Sequence, residues 1–236
     1  MVIWAIALIY VLAAVVPAFF LARRIFNMDR VEKEPVSLLF RLLLLGVLSA
    51  LIAGALEMVG IELLDRTISQ DSAWYVIFLA FLVVAVSEEG AKYLLMKHAT
   101  WNNPEFNYRF DGIVYAAFVS LGFAAFENIK YVFNYGLSVA PLRAVLSIPG
   151  HLAFSVYMGY FYGRARMFQN YGYEGRSKFN RYFSYGIAVF LHGFYDACAM
   201  MGTGLSSAIF IAFVCVCYTM TFKTVLRESK TDYPIR

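Results

Sequence analysis

An all-α fold, a polytopic membrane helical bundle of about seven transmembrane helices, is what this sequence predicts, and three observations predict it. Hydrophobic residues make up 61% of the 236 residues and charged residues 15%, where soluble domains run at about half and a quarter. The mean hydropathy is +0.64, and a chain this short cannot hide so much apolar surface in its own core, because a small domain still presents a large area to its surroundings. The apolar residues also come in runs of about 20, the length of helix that crosses a hydrocarbon layer ~30 Å thick. A soluble enzyme is excluded; the lipid bilayer is the solvent.

The runs cover 2–22, 37–58, 74–97, 110–133, 141–163, 182–202 and 204–222. No basic residue precedes Val2 and the first run stops at Arg23-Arg24, which reads as a retained anchor rather than a cleaved signal. Arg41, Glu57 and Glu62 fall near the ends expected for the second span, where long charged side chains snorkel to the interface. In the fifth, Pro149-Gly150 is expected to break the helix at mid-depth, directly before His151; irregular backbone is tolerated there only against protein or a watery cavity. Gly159 and Gly163 make a GxxxG pattern that lets helices approach closely without naming the partner. Cys198, Cys215 and Cys217 lie inside apolar runs without disulfide or CxxC spacing and read as small hydrophobes. With no repeat and no long linker, residues 1–236 read as one domain.

Orientation follows from the basic residues. Arg23, Arg24, Arg30, Lys33, Lys97, Arg109, Arg164, Arg166, Arg176, Lys178, Arg181, Lys223, Arg227, Lys230 and Arg236 fall on one side, while the other has Arg66, with Lys130 and Arg143 near span ends. The positive-inside rule then puts the N-terminus outside and the C-terminal tail in the cytoplasm. The net charge of +4 thus marks a membrane face, and no nucleic-acid partner is expected.

Hydrocarbon penalises an ionisable side chain by roughly 2.5–3.5 kcal/mol even on the mildest scales, so each one deep in a span needs a reason. AVSEEGAKYLL carries Glu88, Glu89 and Lys92; GFAAFENIKY carries Glu127 and Asn128; SIPGHLAFS carries His151; LHGFYDA carries His192 and Asp196. The remaining histidine, His98, sits at a span end and reads as solvated. Glu88 and Lys92 are i,i+4, Glu89 and Lys92 i,i+3, and His192 and Asp196 i,i+4, so each set shares a helix face. Adjacent buried carboxylates do not both ionise cheaply, which separates an acid from a base, and Asp196 can fix the tautomer of His192. At about 1.5 Å per residue, Glu88, His151 and His192 reach one layer at or just inside mid-depth, whereas Glu127 falls nearer Asp196 than Glu88. A purely structural polar network would gain little from membrane hydrogen bonds, which favours a functional reading.

An activated water and a donor for an oxyanion are what peptide hydrolysis requires, and a carboxylate with an imidazole meets both needs without a covalent nucleophile. The chain lacks HExxH, GxGD and GxSG. Glu and His from separate helices can hold zinc, yet no local ligand spacing supports it, so no cofactor and no metal are expected.

SEEGAK, RFDGIVYAAFVSLGFAAFENIKY, GHLAFSVYMGYFYGRAR and LHGFYDA, in this order from Glu88 to Asp196, together with MDRVEKEP after the first span, resemble the PrsW family of glutamic-type intramembrane proteases, distantly related to the CAAX prenyl proteases. Ala116 stands where that family usually has Gly, a change in packing rather than chemistry. The resemblance implies Glu88, Glu89 and His192 as catalytic, with Lys92, Glu127, Asn128, His151 and Asp196 at motif positions in support. It also implies a bacterial cell-membrane protease acting in stress-response signalling on a membrane-anchored protein, an anti-sigma factor in the association known for the family. The competing class is a proton-coupled membrane carrier using the same acids as a relay, but a carrier favours paired repeats with two broken helices.

Overall fold

A helix in lipid cannot stop until its last carbonyl and N–H groups reach water or a partner, and most of the apolar runs accordingly continue past their hydrophobic limits. The computed structural model describes residues 2–235; Arg236, counted above with the basic tail, lies outside them. Helix α1 spans Val2–Met28 and α2 spans Val36–Thr67. The third run is a continuous rod of three parts, α3 (Ala73–Phe78), a π-helical segment (Leu79–Ala85) and α4 (Val86–Thr100). Then come α5 (Asp111–Tyr135), a 3₁₀ turn (Leu137–Val139), α6 (Ala140–Val145), α7 (Ser147–Asn170), α8 (Glu174–Met200) and α9 (Gly204–Lys230).

Six helical stretches among the described residues are long and apolar enough to cross a membrane. The expected span 182–202 is α8, which is not one of them, because it carries polar residues over much of its length and begins at Glu174. The expected break in 141–163 is also displaced. The chain bends at Leu146, between α6 and α7, and Pro149 falls in the first turn of α7, where a missing N–H costs no hydrogen bond. His151 therefore sits on regular helix just past the break.

Helix α5 is the axis of the bundle: 78% of its apolar window is buried, against 17% for α1 and 22% for α9. It packs against α1, α2 and α7, and α7 packs in turn against α8. The partner that the GxxxG pattern left unnamed is α5. A Cβ on Gly159 would collide with the Gly112 carbonyl, and one on Gly112 with the backbone of Gly159 and Gly163, so the α5–α7 contact is made backbone to backbone. Ser120 Oγ donates to His151 O across the same contact at 2.9 Å.

The end of the bundle that gathers the basic residues is closed. Trp101, Phe106 and Tyr162 stack edge and face, and the tail folds back over them with Ile235 buried, its N–H donating to Asn107 O at 2.8 Å. Arg109 meets Glu228 at 2.5 Å. Beneath lies a buried acidic network outside the expected site. Glu34 N–H donates to Asp29 Oδ2 at 3.3 Å, Tyr115 Oη donates to Glu34 Oε1 at 2.9 Å, and Asp111 Oδ2 accepts the N–H groups of Asn107 and Tyr108 at 3.0 and 2.7 Å. Burial, which penalises the charged form, pushes the Asp29 carboxyl up to about 6 and that of Glu34 up to about 8.

Glu34 therefore holds a proton when folded at pH values where the unfolded chain has lost it, so its contribution to stability falls as pH rises from the ordinary 4.5 towards 8. Thermal unfolding in detergent should show stability declining over that window, and Glu34→Gln, which mimics the protonated form and still accepts from Tyr115, should flatten the slope and be the more stable protein at pH 9. An unchanged slope would remove Glu34 from the account.

Candidate active site

The site is built where four helices cross in the half of the bundle away from the basic end. Glu88 and Glu89 lie in the first turn of α4, immediately after the π segment; one wide turn changes the phase of everything that follows it, and such segments are frequent at functional sites. Two glycines seat that segment. A Cβ on Gly193 of α8 would strike the Phe81 ring, and one on Gly60 of α2 would strike Val83. Gly193 of the LHGFYDA stretch thus lets the rod come close enough for His192, its neighbour, to reach Glu89.

Lys92 Nζ donates to Glu89 Oε1 at 2.8 Å and to Glu88 Oε2 at 3.2 Å, and lies 3.3 Å from His151 Nδ1. An ammonium has no lone pair, so His151 Nδ1 is the acceptor and its proton is on Nε2, which faces Glu127 Oε2 at 3.0 Å. His192 is arranged in the same sense: Nδ1 points inward to Glu89 Oε1 at 2.9 Å and Nε2 lies 3.3 Å from Asp196 Oδ2. Each imidazole is braced on its outer nitrogen by a carboxylate and presents Nδ1 to the centre. Glu88, Glu89, Lys92, His151 and His192 are all at most 5% exposed. One ligand atom from each of Glu88, Glu89, His151 and His192 lies within 4.8 Å of the others. Glu89 Oε2 is buried without a hydrogen-bond partner.

A cavity of about 520 Å³ opens onto this cluster. Glu88, Glu127, His151, His192 and Asp196 face it, whereas Glu89 and Lys92 do not. Its outer walls come from α6, from the last turn of α8 at Cys198–Met200 and from the start of α9 at Ser207–Ile211. From His192 to Met200 is about 12 Å of helix, against about 27 Å back to Glu174; the longer arm includes the charged turns from Glu174 to Arg181 that precede the apolar part of α8.

Most of the expected residues converge. Glu127 lies against His151 across the close α5–α7 contact. Asn128 is outside the cluster, donating to Ala14 O at 3.3 Å and accepting from Arg143 Nε at 2.5 Å. His98 is exposed, as its position at a helix end suggested.

Glu57 and Arg143 were missed. Glu57 lines the cavity because α2 runs on to Thr67, which places it well inside the helix rather than near its end. Arg143 holds Glu127 Oε2 at 2.6 Å and Ser147 Oγ at 2.9 Å, with its guanidinium 3.6 Å from the Tyr131 ring centroid. By contrast Glu62, paired with Arg66 at 2.6 Å, and Arg41 are exposed as snorkelling residues.

Comparison with known proteins finds relatives over most of the chain. The family described as PrsW family intramembrane metalloprotease matches residues 34–222. Protease PrsW of Oceanobacillus iheyensis is 34% identical over 185 residues, covering 78% of this chain and 80% of the relative. Protease PrsW of Clostridioides difficile is 31% identical over 212 residues, 87% and 85% of the two chains, and that of Bacillus subtilis 30% identical over 184 residues, 78% and 79%. No solved structure matches the chain.

The cavity makes a prediction about water. In a background with Cys198, Cys215 and Cys217 replaced, Ser147→Cys should react with a membrane-impermeant thiol reagent, whereas Phe190→Cys, on an exposed face of α8 away from the cavity, should not. Equal labelling at both positions would contradict a water-filled cavity in a lipid-embedded bundle.

Proposed function

The chain belongs to the PrsW family of intramembrane proteases, and from that premise we propose that it hydrolyses a peptide bond of a membrane-anchored protein at the Glu88, Glu89, His151 and His192 cluster. The observation that carries this reading is the convergence of four ligand-bearing side chains beneath one cavity, each imidazole braced from outside by its own carboxylate.

The family description implies a metal, and the donor set fits one. Two imidazoles and two carboxylates within 4.8 Å suit zinc; a carboxylate on the outer nitrogen is the usual brace of a metal-binding histidine; and Glu89 Oε2 is buried with no hydrogen-bond partner. Hydrogen counting agrees. A neutral imidazole donates from one nitrogen only, so the approach of His192 to both Glu89 and Asp196 calls for a second proton or a metal ion at Nδ1. His151, His192 and Glu89 would hold the ion, which when bound supplies a Lewis acid that lowers the pKa of water and polarises the carbonyl.

The remaining work belongs to the chain's own residues. Glu88, which faces the cavity, takes the proton from water as it attacks the carbonyl carbon and returns it to the leaving amine. Asp196 and Glu127 hold the two imidazoles in one tautomer and direction, Arg143 keeps Glu127 in place, and the apolar walls from α6, α8 and α9 receive an unwound stretch of substrate. A helical peptide bond is shielded by its own hydrogen bonds, so the substrate has to unwind to be cut.

The metal-independent carboxylate pair is the second reading, and one observation favours it: Lys92 already binds both carboxylates. Metal analysis separates the two. One zinc per chain, with cleavage lost on chelation and restored by zinc, supports the first reading; full activity after metal-free purification supports the second. Under either, Glu88→Gln should lower kcat by about 10² or more, the range for losing a general base, with the protein still inserted in the membrane. His192→Ala should do the same, and full activity in both would sink the site. The substrate class suggested by the family resemblance is a membrane-anchored anti-sigma factor, tested by co-expression and a search for Glu88-dependent fragments. The basic-residue distribution supports a cytoplasmic tail; a reporter fused at the tail tests that orientation.

A further inference from the structure

Lys92 has no part in the metal reading of the site. It is among the largest fully buried side chains in the protein, 1% exposed, and its ammonium touches three of the four groups that offer ligand atoms: Glu89 at 2.8 Å, Glu88 at 3.2 Å and His151 at 3.3 Å. It also lies 3.8 Å from the Phe123 ring centroid, whose face favours a cation. Its position is dictated by sequence: on one helix the i,i+3 and i,i+4 spacings bring it back over both glutamates, and the π segment turns that face towards α7 and α8.

Resting on the metal reading of the site, we propose that Lys92 is an internal cation that competes with the catalytic metal for Glu88, Glu89 and His151, and so holds these donors in place while weakening metal binding. The same lone pairs serve both cations. The Nδ1 of His151 has one, and it cannot point at the ammonium and coordinate an ion at the same time. A divalent ion among the same donors would sit within a few ångströms of the ammonium, and like charges that close repel unless the ammonium withdraws. The Phe123 ring, already under the ammonium, remains a partner for it when the carboxylates turn to the ion. The consequence is a site preorganised without tight metal binding, from which the ion exchanges.

The test is a Co²⁺ titration of the full-length protein in detergent, read by the visible d–d absorption of the bound ion, with Zn²⁺ competition for affinity. Lys92→Met removes the charge and keeps the length of the side chain. It should bind Co²⁺ and Zn²⁺ at least about tenfold more tightly than the parent, since charges a few ångströms apart in a protein interior interact by several kcal/mol. Its thermal stability without added metal should fall, and the stabilisation on adding zinc should grow. Lys92→Gln, which keeps an N–H donor for the carboxylates, is the second variant should the methionine protein fail to fold, and it should shift affinity in the same direction. A merely structural lysine would give weaker metal binding in both variants. Unchanged or weaker binding overturns the proposal and leaves the metal reading standing; if neither parent nor variants bind either ion, both fall together.

Discussion

Charge balance among buried side chains governs this molecule. Glu88, Glu89, Lys92, His151 and His192 are buried at one level of a bundle whose surroundings are hydrocarbon, and ionised groups there persist only when paired and hydrogen-bonded. The Lys92 ammonium is shared among three of them, and the second bond of each imidazole is to a further carboxylate. Removing one partner leaves the others uncompensated, so the helices that carry them have little freedom to move apart. Cluster and bundle hold each other in register.

That requirement explains the backbone contacts. Side chains as short as glutamate and histidine meet across helix boundaries only when the helix axes are close, and the glycines at 112, 159 and 163 bring α5 and α7 together while Gly60 and Gly193 receive the π segment. The π segment itself loosens the helix just before Glu88, which makes it the natural place for a phase correction between a lipid-facing stretch and the one that carries the cluster. Arg143 links α6 to this core through Glu127, so the wall of the cavity and the orientation of His151 are coupled by one guanidinium.

The two ends of the bundle are built for different purposes. At the basic end the tail, the aromatic stack and the buried network of Asp29, Glu34 and Asp111 close the structure. At the other end α6, α8 and α9 leave a cavity that reaches the cluster. The cavity thus gives water a route to the cluster from that end.

Much of this was legible in the sequence. Hydropathy alone marks the lipid-crossing stretches, because the cost of exposing backbone and charge to hydrocarbon leaves few alternatives, and the same cost makes Glu88, Glu89, Lys92, His151, His192 and Asp196 conspicuous. The i,i+3 and i,i+4 pairs were readable because helix geometry is local. Glu57 and Arg143 were not, since their importance depends on where α2 ends and where the chain bends at Leu146, and helix ends are set by tertiary partners rather than by the run itself. Depth along the helices already brought Glu88, His151 and His192 to one layer, but the approach of their ligand atoms to within 4.8 Å of one another, and so the case for a metal, was hidden: ligands drawn from three helices have no spacing in the chain, only in space. What the sequence by itself determined is which residues cannot be left alone in lipid; which of them meet, and by which atoms, only the packing of α4, α5, α7 and α8 decided, because hydrogen-bond geometry acts over ångströms while the sequence separates these residues by dozens of positions.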